Sequence, residues 1–125
     1  MEKSERYVDY CVTHAARIVE LLLAEGKSPW IGRIHERHGD FVAPLIPTRF
    51  KGNNALTWTT HYVACDGRDV YDPIVGSPID VDDYAVAVFG RRLDVETHLD
   101  AAETRRLVAD GKLYRRLASP HLLTC

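Results

Sequence analysis

The chain has 125 residues, 46% of them apolar and 27% charged, with a formal net charge of -2. That is enough for one domain, residues 1–125, with its own core, and too few for two comfortable ones. A near-neutral balance excludes a dominant nucleic-acid or anionic-membrane role, because the Arg91-Arg92, Arg105-Arg106 and Arg115-Arg116 pairs are interleaved with acidic residues. No basic stretch precedes an apolar run at the start and no apolar run approaches a bilayer span, so the expectation is a soluble, cytoplasmic chain, with signal-less secretion left open. Three widely spaced cysteines do not make a disulfide framework.

In chain order, residues 11–25 (CVTHAARIVELLLAE) predict a helix. Val12, Ala15, Ala16, Val19, Leu22 and Leu23 recur on one face, with Gly26 as the stop. Asp9 is the expected N-cap, which puts Cys11 in the first turn. PWIGRIHE (29–36) and APLIPTRFKG (43–52) lean to strands, and Pro44 and Pro47 restrict the second to an edge or a broken strand. THYVACDGRDVYDP (60–73) reads as strand, turn, strand around Asp66-Gly67. With those two as the turn centre, Cys65 pairs with Arg68 and His61 with Asp72, their Cβ atoms roughly 4.5–5.5 Å apart on one face. A three-residue loop would instead set His61 opposite Pro73. PIDVDDYAVAVFG (78–90) reads as a capped helix opened by Asp80, with a strand as the competing reading. LDVETH (93–98) alternates as a strand, and DAAETRRLVADG (100–111) is a helix capped by Asp100, with Glu103 three residues on and Gly111 as its stop. The class is α+β: an N-terminal helix packed on a small, mainly antiparallel sheet, with an additional C-terminal helix.

Thiol chemistry needs a cysteine made nucleophilic as thiolate, an imidazole to take its proton, and a third group to hold that ring. Cys11 at a helix start, His61 at the head of a strand and Asp72 one strand over supply one of each. The structural alternatives stand beside this reading. Cys11 also fits as a small buried residue, His61 as a core histidine bonded to a backbone carbonyl, and Asp72 as the opener of an Asp-Pro turn. Trp30 and Trp58 read first as core, and Asn53-Asn54 as a loop. Zinc is disfavoured, since His35 and His38 form HERH rather than HExxH and no paired CxxC or HxxxH element supports a site. No cofactor is expected.

The order of these residues, with His61-Tyr62-Val63-Ala64 followed by Val70-Tyr71-Asp72-Pro73, resembles the H-[YF]-V-V … V-x-D-P hairpin of compact bacterial branches of the papain-like cysteine peptidases. Those branches include leader-peptide-processing domains, cell-wall endopeptidases and papain-fold effectors. The resemblance spans residues 7 to about 76 and implies a papain-like fold, a protein or peptide substrate, and a triad of Cys11 as nucleophile, His61 as general base and Asp72 as orienter. Two features depart from it. The chain has no glutamine to furnish the usual oxyanion donor, which leaves the Cys11 N–H with Tyr7, Tyr10, Asn53 or Asn54, and Trp58 as a cleft residue. The context DYCVTHAA also matches no glycine- or tryptophan-flanked cysteine signature. Peptide or isopeptide cleavage, glutamine deamidation and acyl transfer all use this machinery. The competing reading is an inactive papain-like scaffold serving as a protein-binding or adaptor module.

Overall fold

The computed structural model describes the backbone of residues 2–38, 41–43, 60–73 and 75–118, and side chains over 12–35, 60–73 and 75–118. The first helix, α1 (Glu2–Ala24), is 23 residues long. It begins well before the expected cap at Asp9. No glycine or proline interrupts residues 2–24, and Glu2, Lys3, Glu5 and Arg6 are good helix formers, so the helix continues through Asp9. Its buried stripe is Val12, Ala15, Ala16, Val19 and Leu22. The helix closes with the Gly26 N–H donating to the Leu23 carbonyl and the Lys27 N–H to that of Leu22, both at 3.0 Å, a Schellman closure.

Five strands form an antiparallel sheet in the order β6-β5-β4-β1-β7. They are β1 (Trp30–Ile34), β4 (His61–Asp66), β5 (Asp69–Tyr71), β6 (Ile79–Asp80) and β7 (Glu96–Leu99), while β2 (Glu36–His38) and β3 (Phe41–Ala43) pair separately. The strand expected over 29–36 thus divides at His35. Of the strand expected over 43–52, only Ala43 is described, closing β3; the rest lies outside the described residues.

The expected hairpin forms, with a different turn. Asp66 pairs with Asp69, Cys65 with Val70 and Ala64 with Tyr71, so the two central residues are Gly67 and Arg68. Gly67 has φ 58°, the positive value that a two-residue hairpin turn requires at its first position. Asp66 therefore serves as the last strand residue. Segment 78–90 resolves into β6 followed by α2 (Val81–Phe89), with the Asp80 side chain accepting from the Asp82 N–H. α3 (Ala101–Ala109) is capped by Asp100 Oδ1 accepting from the Glu103 N–H at 2.8 Å, as its sequence predicts. A further short helix, α4 (Leu113–Leu117), follows.

Both faces of the sheet are covered. One packs Ile31, Ala64 and Leu99 against Val12, Ala15, Ala16 and Val19 of α1 and Leu107, Leu113 and Leu117 of α3 and α4. The other packs Ile34, Val63, Cys65 and Val70 against Tyr84, Val88 and Phe89 of α2. Period-two alternation in β4 sends Ala64 to the first cluster and Val63 and Cys65 to the second, so four of its six residues are buried. Among the described residues, no helix is long and apolar enough to cross a membrane.

Candidate active site

His61 opens β4, where it pairs with Ile34 of β1 and is fully buried. A buried imidazole needs polar partners to offset its lost hydration. It finds them on the α2 face. Its Nε2 lies 3.1 Å from Asp72 Oδ2 and 2.8 Å from Tyr84 Oη, and the Tyr84 hydroxyl donates to that same Asp72 oxygen. The Tyr84 ring is parallel to that of His61 within 3°, and the Phe89 ring stands edge-on to the imidazole at a centroid distance of 5.7 Å. Tyr84 is 0% exposed and Asp72 6% exposed, so the three polar groups meet in a nearly dry environment.

The proton arrangement follows from counting. With Asp72 ionised, three mutually contacting atoms have at most two protons to share, those of Nε2 and of the phenol. Burial, then the adjacent Asp72 charge, pushes the Tyr84 hydroxyl well above its ordinary pKa, so the phenol keeps its proton. That proton is given to Asp72. A bare Nε2 would then face the lone pairs of two oxygens, so the stable neutral form of His61 carries hydrogen on Nε2, shared between Asp72 and the Tyr84 oxygen.

Asp72 is also a turn former. Its carbonyl accepts from the N–H groups of Val75 and Gly76, so Asp72-Pro73 opens the turn after β5 while the carboxylate faces His61. The turn and the contact with His61 are compatible in one residue.

Cys11 lies in the interior of α1, not in its first turn. It is therefore removed from the partial positive charge at a helix N-terminus. Its N–H also belongs to the helical ladder, directed to the carbonyl four residues earlier, and is not available as an oxyanion donor. The backbone position is nonetheless informative. Cys11 precedes His14 by three residues and Ala15 by four, which puts it on their stripe of the helix. Ile18 lines a shallow groove of about 160 Å³ with Tyr71, Asp72, Pro73 and Pro78. One turn earlier, His14 and Ala15 line a recess with Tyr62, Val63 and Asp72. Both pockets include Asp72, and Cys11 lies one helical turn nearer the start of α1 than His14 and Ala15. The side chains of Cys11, Tyr7 and Tyr10 are outside those described, and Asn53, Asn54 and Trp58 fall outside the described residues altogether.

Cys65 is no rival nucleophile. It is fully buried between the sheet and α2, and burial pushes its thiol up to about 12. Trp30 is half-buried against the α2-side cluster, with Nε1–H donating to the Gly67 carbonyl at 3.1 Å, in line with a core role. Among the described residues no group of three or more His, Cys, Asp or Glu is arranged to hold a metal ion. A roomier cavity of about 760 Å³ opens between the start of α2 and the segment entering β7, lined by His35, Asp82, Arg92, Asp94 and Glu96, and includes no member of the buried trio.

Tyr84 is the site residue that sequence reasoning passes over. A signal for it exists. A tyrosine on the buried face of a short helix must bring its hydroxyl a partner, and a buried histidine with an aspartate nearby supplies one. No protein-family model, curated protein or solved structure matches this chain.

Proposed function

We propose that the chain is a cysteine-dependent acyl-group hydrolase of peptidase, isopeptidase or glutamine-deamidase type, built on a papain-like scaffold and acting on a protein or peptide. The observation that carries this reading is the buried His61–Asp72 hydrogen bond at the head of β4, with His14 and Ala15, which share the helical stripe of Cys11, lining a recess with Asp72. With Nε2 engaged by Asp72, Nδ1 is the nitrogen that acts. It takes the Cys11 thiol proton as Sγ attacks the acyl carbon, and the imidazolium returns that proton to the departing amine as the C–N bond breaks. Water, deprotonated by the same nitrogen, then cleaves the thioester to release the acid and restore the thiol. Asp72 holds the ring and offsets the imidazolium charge. With the Cys11 N–H engaged in the helix, Tyr7, Tyr10, Asn53 and Asn54 are the candidate oxyanion donors.

One observation favours a second reading, that of a catalytically inactive scaffold acting as a protein-binding or adaptor module. The start of α1 at Glu2 leaves Cys11 without helix-end activation, so its thiolate would rest on His61 alone.

The test is the alkylation rate of each cysteine across pH, read by mass spectrometry, in the wild type and in His61→Ala. The hydrolase reading expects Cys11 to react well below pH 7 at a rate that ordinary thiols reach only near their pKa of about 8.5, and expects His61→Ala to abolish that advantage. A Cys11 that is inert or titrates normally in both proteins overturns it in favour of the binding module.

A further inference from the structure

We propose that Asp72 has a second task besides orienting His61: it holds the Tyr84 phenol proton away from His61 Nε2, so that the carboxylate keeps the Nε2–H tautomer against a hydroxyl that would otherwise reverse it. Three polar atoms carry the argument. Tyr84 Oη lies 2.8 Å from Nε2 and nearer still to Asp72 Oδ2, itself 3.1 Å from Nε2, and the phenol donates to the carboxylate. Charge favours the same choice as distance, since a hydrogen bond to an ionised oxygen is roughly twice as strong as one between neutral groups. The hydroxyl rotates freely about its C–O bond, and the ring is held by Phe89 and the surrounding apolar cluster. Tyr84 is fully buried, closed off from bulk solvent.

Removing Asp72 changes the best acceptor within reach. The phenol proton then turns to Nε2 of His61, because a buried hydroxyl left without a partner is costly and Nε2 is already at hydrogen-bond distance. Nε2 switches from donor to acceptor, and the imidazole proton moves to Nδ1. No bond to carbon forms or breaks; one proton leaves Nε2, one binds Nδ1, and the ring stays neutral. For a base that works through Nδ1, this is the wrong tautomer. Loss of Asp72 is therefore harmful through Tyr84 and not only through lost orientation, and deleting the phenol as well should undo part of the damage.

This deepens the reading of His61 as general base and, for its consequence in catalysis, rests on that reading. Its direct readout does not. In protein labelled with ¹⁵N-histidine, the protonated and bare ring nitrogens of a neutral imidazole resonate far apart, and His61 is assigned by the signal lost in His61→Gln. Spectra are recorded well above the ordinary imidazole pKa of about 6.5. Wild type and Tyr84→Phe are expected to carry hydrogen on Nε2, Asp72→Ala on Nδ1, and Asp72→Ala with Tyr84→Phe to return toward Nε2. Where alanine at 72 fails to fold, Asp72→Leu keeps the volume filled and carries the same expectation, alone and with Tyr84→Phe. An Asp72 variant that keeps hydrogen on Nε2 overturns the proposal. So does an Nδ1 tautomer that Tyr84→Phe leaves unchanged. Cys11 alkylation measured on the same proteins separates the two readings. A tautomer that responds as stated while Cys11 reactivity does not supports the proton placement and counts against the acyl hydrolase.

Discussion

Asp72 reaches His61 along a diagonal, not across a rung of the sheet. Tyr71 pairs with Ala64, so the next residue along comes level with Val63, two positions from His61. The contact forms because a two-residue offset preserves the face on which both side chains project, whereas a one-residue offset would send Asp72 to the α1 side. Diagonal Cβ atoms lie about 7–8 Å apart, within reach of a long imidazole, and the hydrogen bond closes at 3.1 Å.

Asp72→Ala should lower stability while leaving a single cooperative transition. It strips a buried imidazole and a buried phenol of their shared acceptor, a loss of about 1–3 kcal/mol. In a domain of this size that corresponds to a fall in Tm on the order of 5 °C per kcal/mol. Thermal melts followed by circular dichroism check this. An unchanged Tm would mean that the three groups are not mutually dependent as described.

Gly32→Ala should also destabilise, by overpacking. A Cβ there would sit 2.6 Å from Val95 Cγ1, 3.2 Å from Val63 Cγ2 and 3.3 Å from Cys65 Sγ. The expected cost is about 1–3 kcal/mol. Val95→Ala removes the closest obstruction, so the double variant should lose less than the two single losses added together. Denaturant titrations of the four proteins measure that coupling, and strict additivity would contradict the contact.

Stability should fall as pH drops from about 7.5 to about 5. Burial, then Arg17, holds His14 below the ordinary histidine pKa against the pull of Asp72. Burial, then Arg33 and Arg116, does the same to His98, whose ring lies 4.8 Å from that of Tyr62. The unfolded chain takes up protons at about 6.5 while the folded one resists until lower pH. Their contribution is therefore complete above about 6.5 and lost as pH falls through the folded values. Asp80, held below its ordinary range chiefly by Arg68, loses its contribution only at more acidic pH. His98→Gln should flatten part of the slope between about pH 7 and 5; an unchanged slope would remove His98 from the explanation.

Cys65 should resist alkylation at every pH at which the protein is folded. Burial raises its thiol to about 12 and closes it off from reagent. Its labelling rate should follow the unfolding equilibrium through a denaturant series, as for a group reached only by opening. Rapid labelling in native buffer would contradict its place in the core.

Much of the fold is legible in the chain because it rests on local chemistry. The apolar spacing of Val12, Ala15, Ala16 and Val19 specifies the buried face of α1, Asp100 with Glu103 marks the start of α3, and Gly67 between two β-forming runs marks a hairpin. The N-terminal limit of α1 was not legible that way. Asp9 has a cap's chemistry, but nothing after Glu2 breaks the helix, and continuation prevails over a local alternative.

The site divides along the same line. That His61 and Asp72 share a face follows from the chain for any two-residue turn about Gly67, since side-chain parity survives the change from Asp66-Gly67 to Gly67-Arg68, whereas a three-residue loop would have parted them. The sequence by itself also determined that Cys11 shares a helical stripe with His14 and Ala15, since that follows from 3.6 residues per turn. That the pair His61 and Asp72 meets diagonally is settled in the folded hairpin, because register depends on which residue adopts the positive φ of the turn. Only the packing of α2 across the sheet brought the Tyr84 hydroxyl to Asp72. No spacing along the chain encodes that contact; it exists because the buried face of one helix must cover the second face of the sheet, and a phenol buried there takes the strongest acceptor within reach.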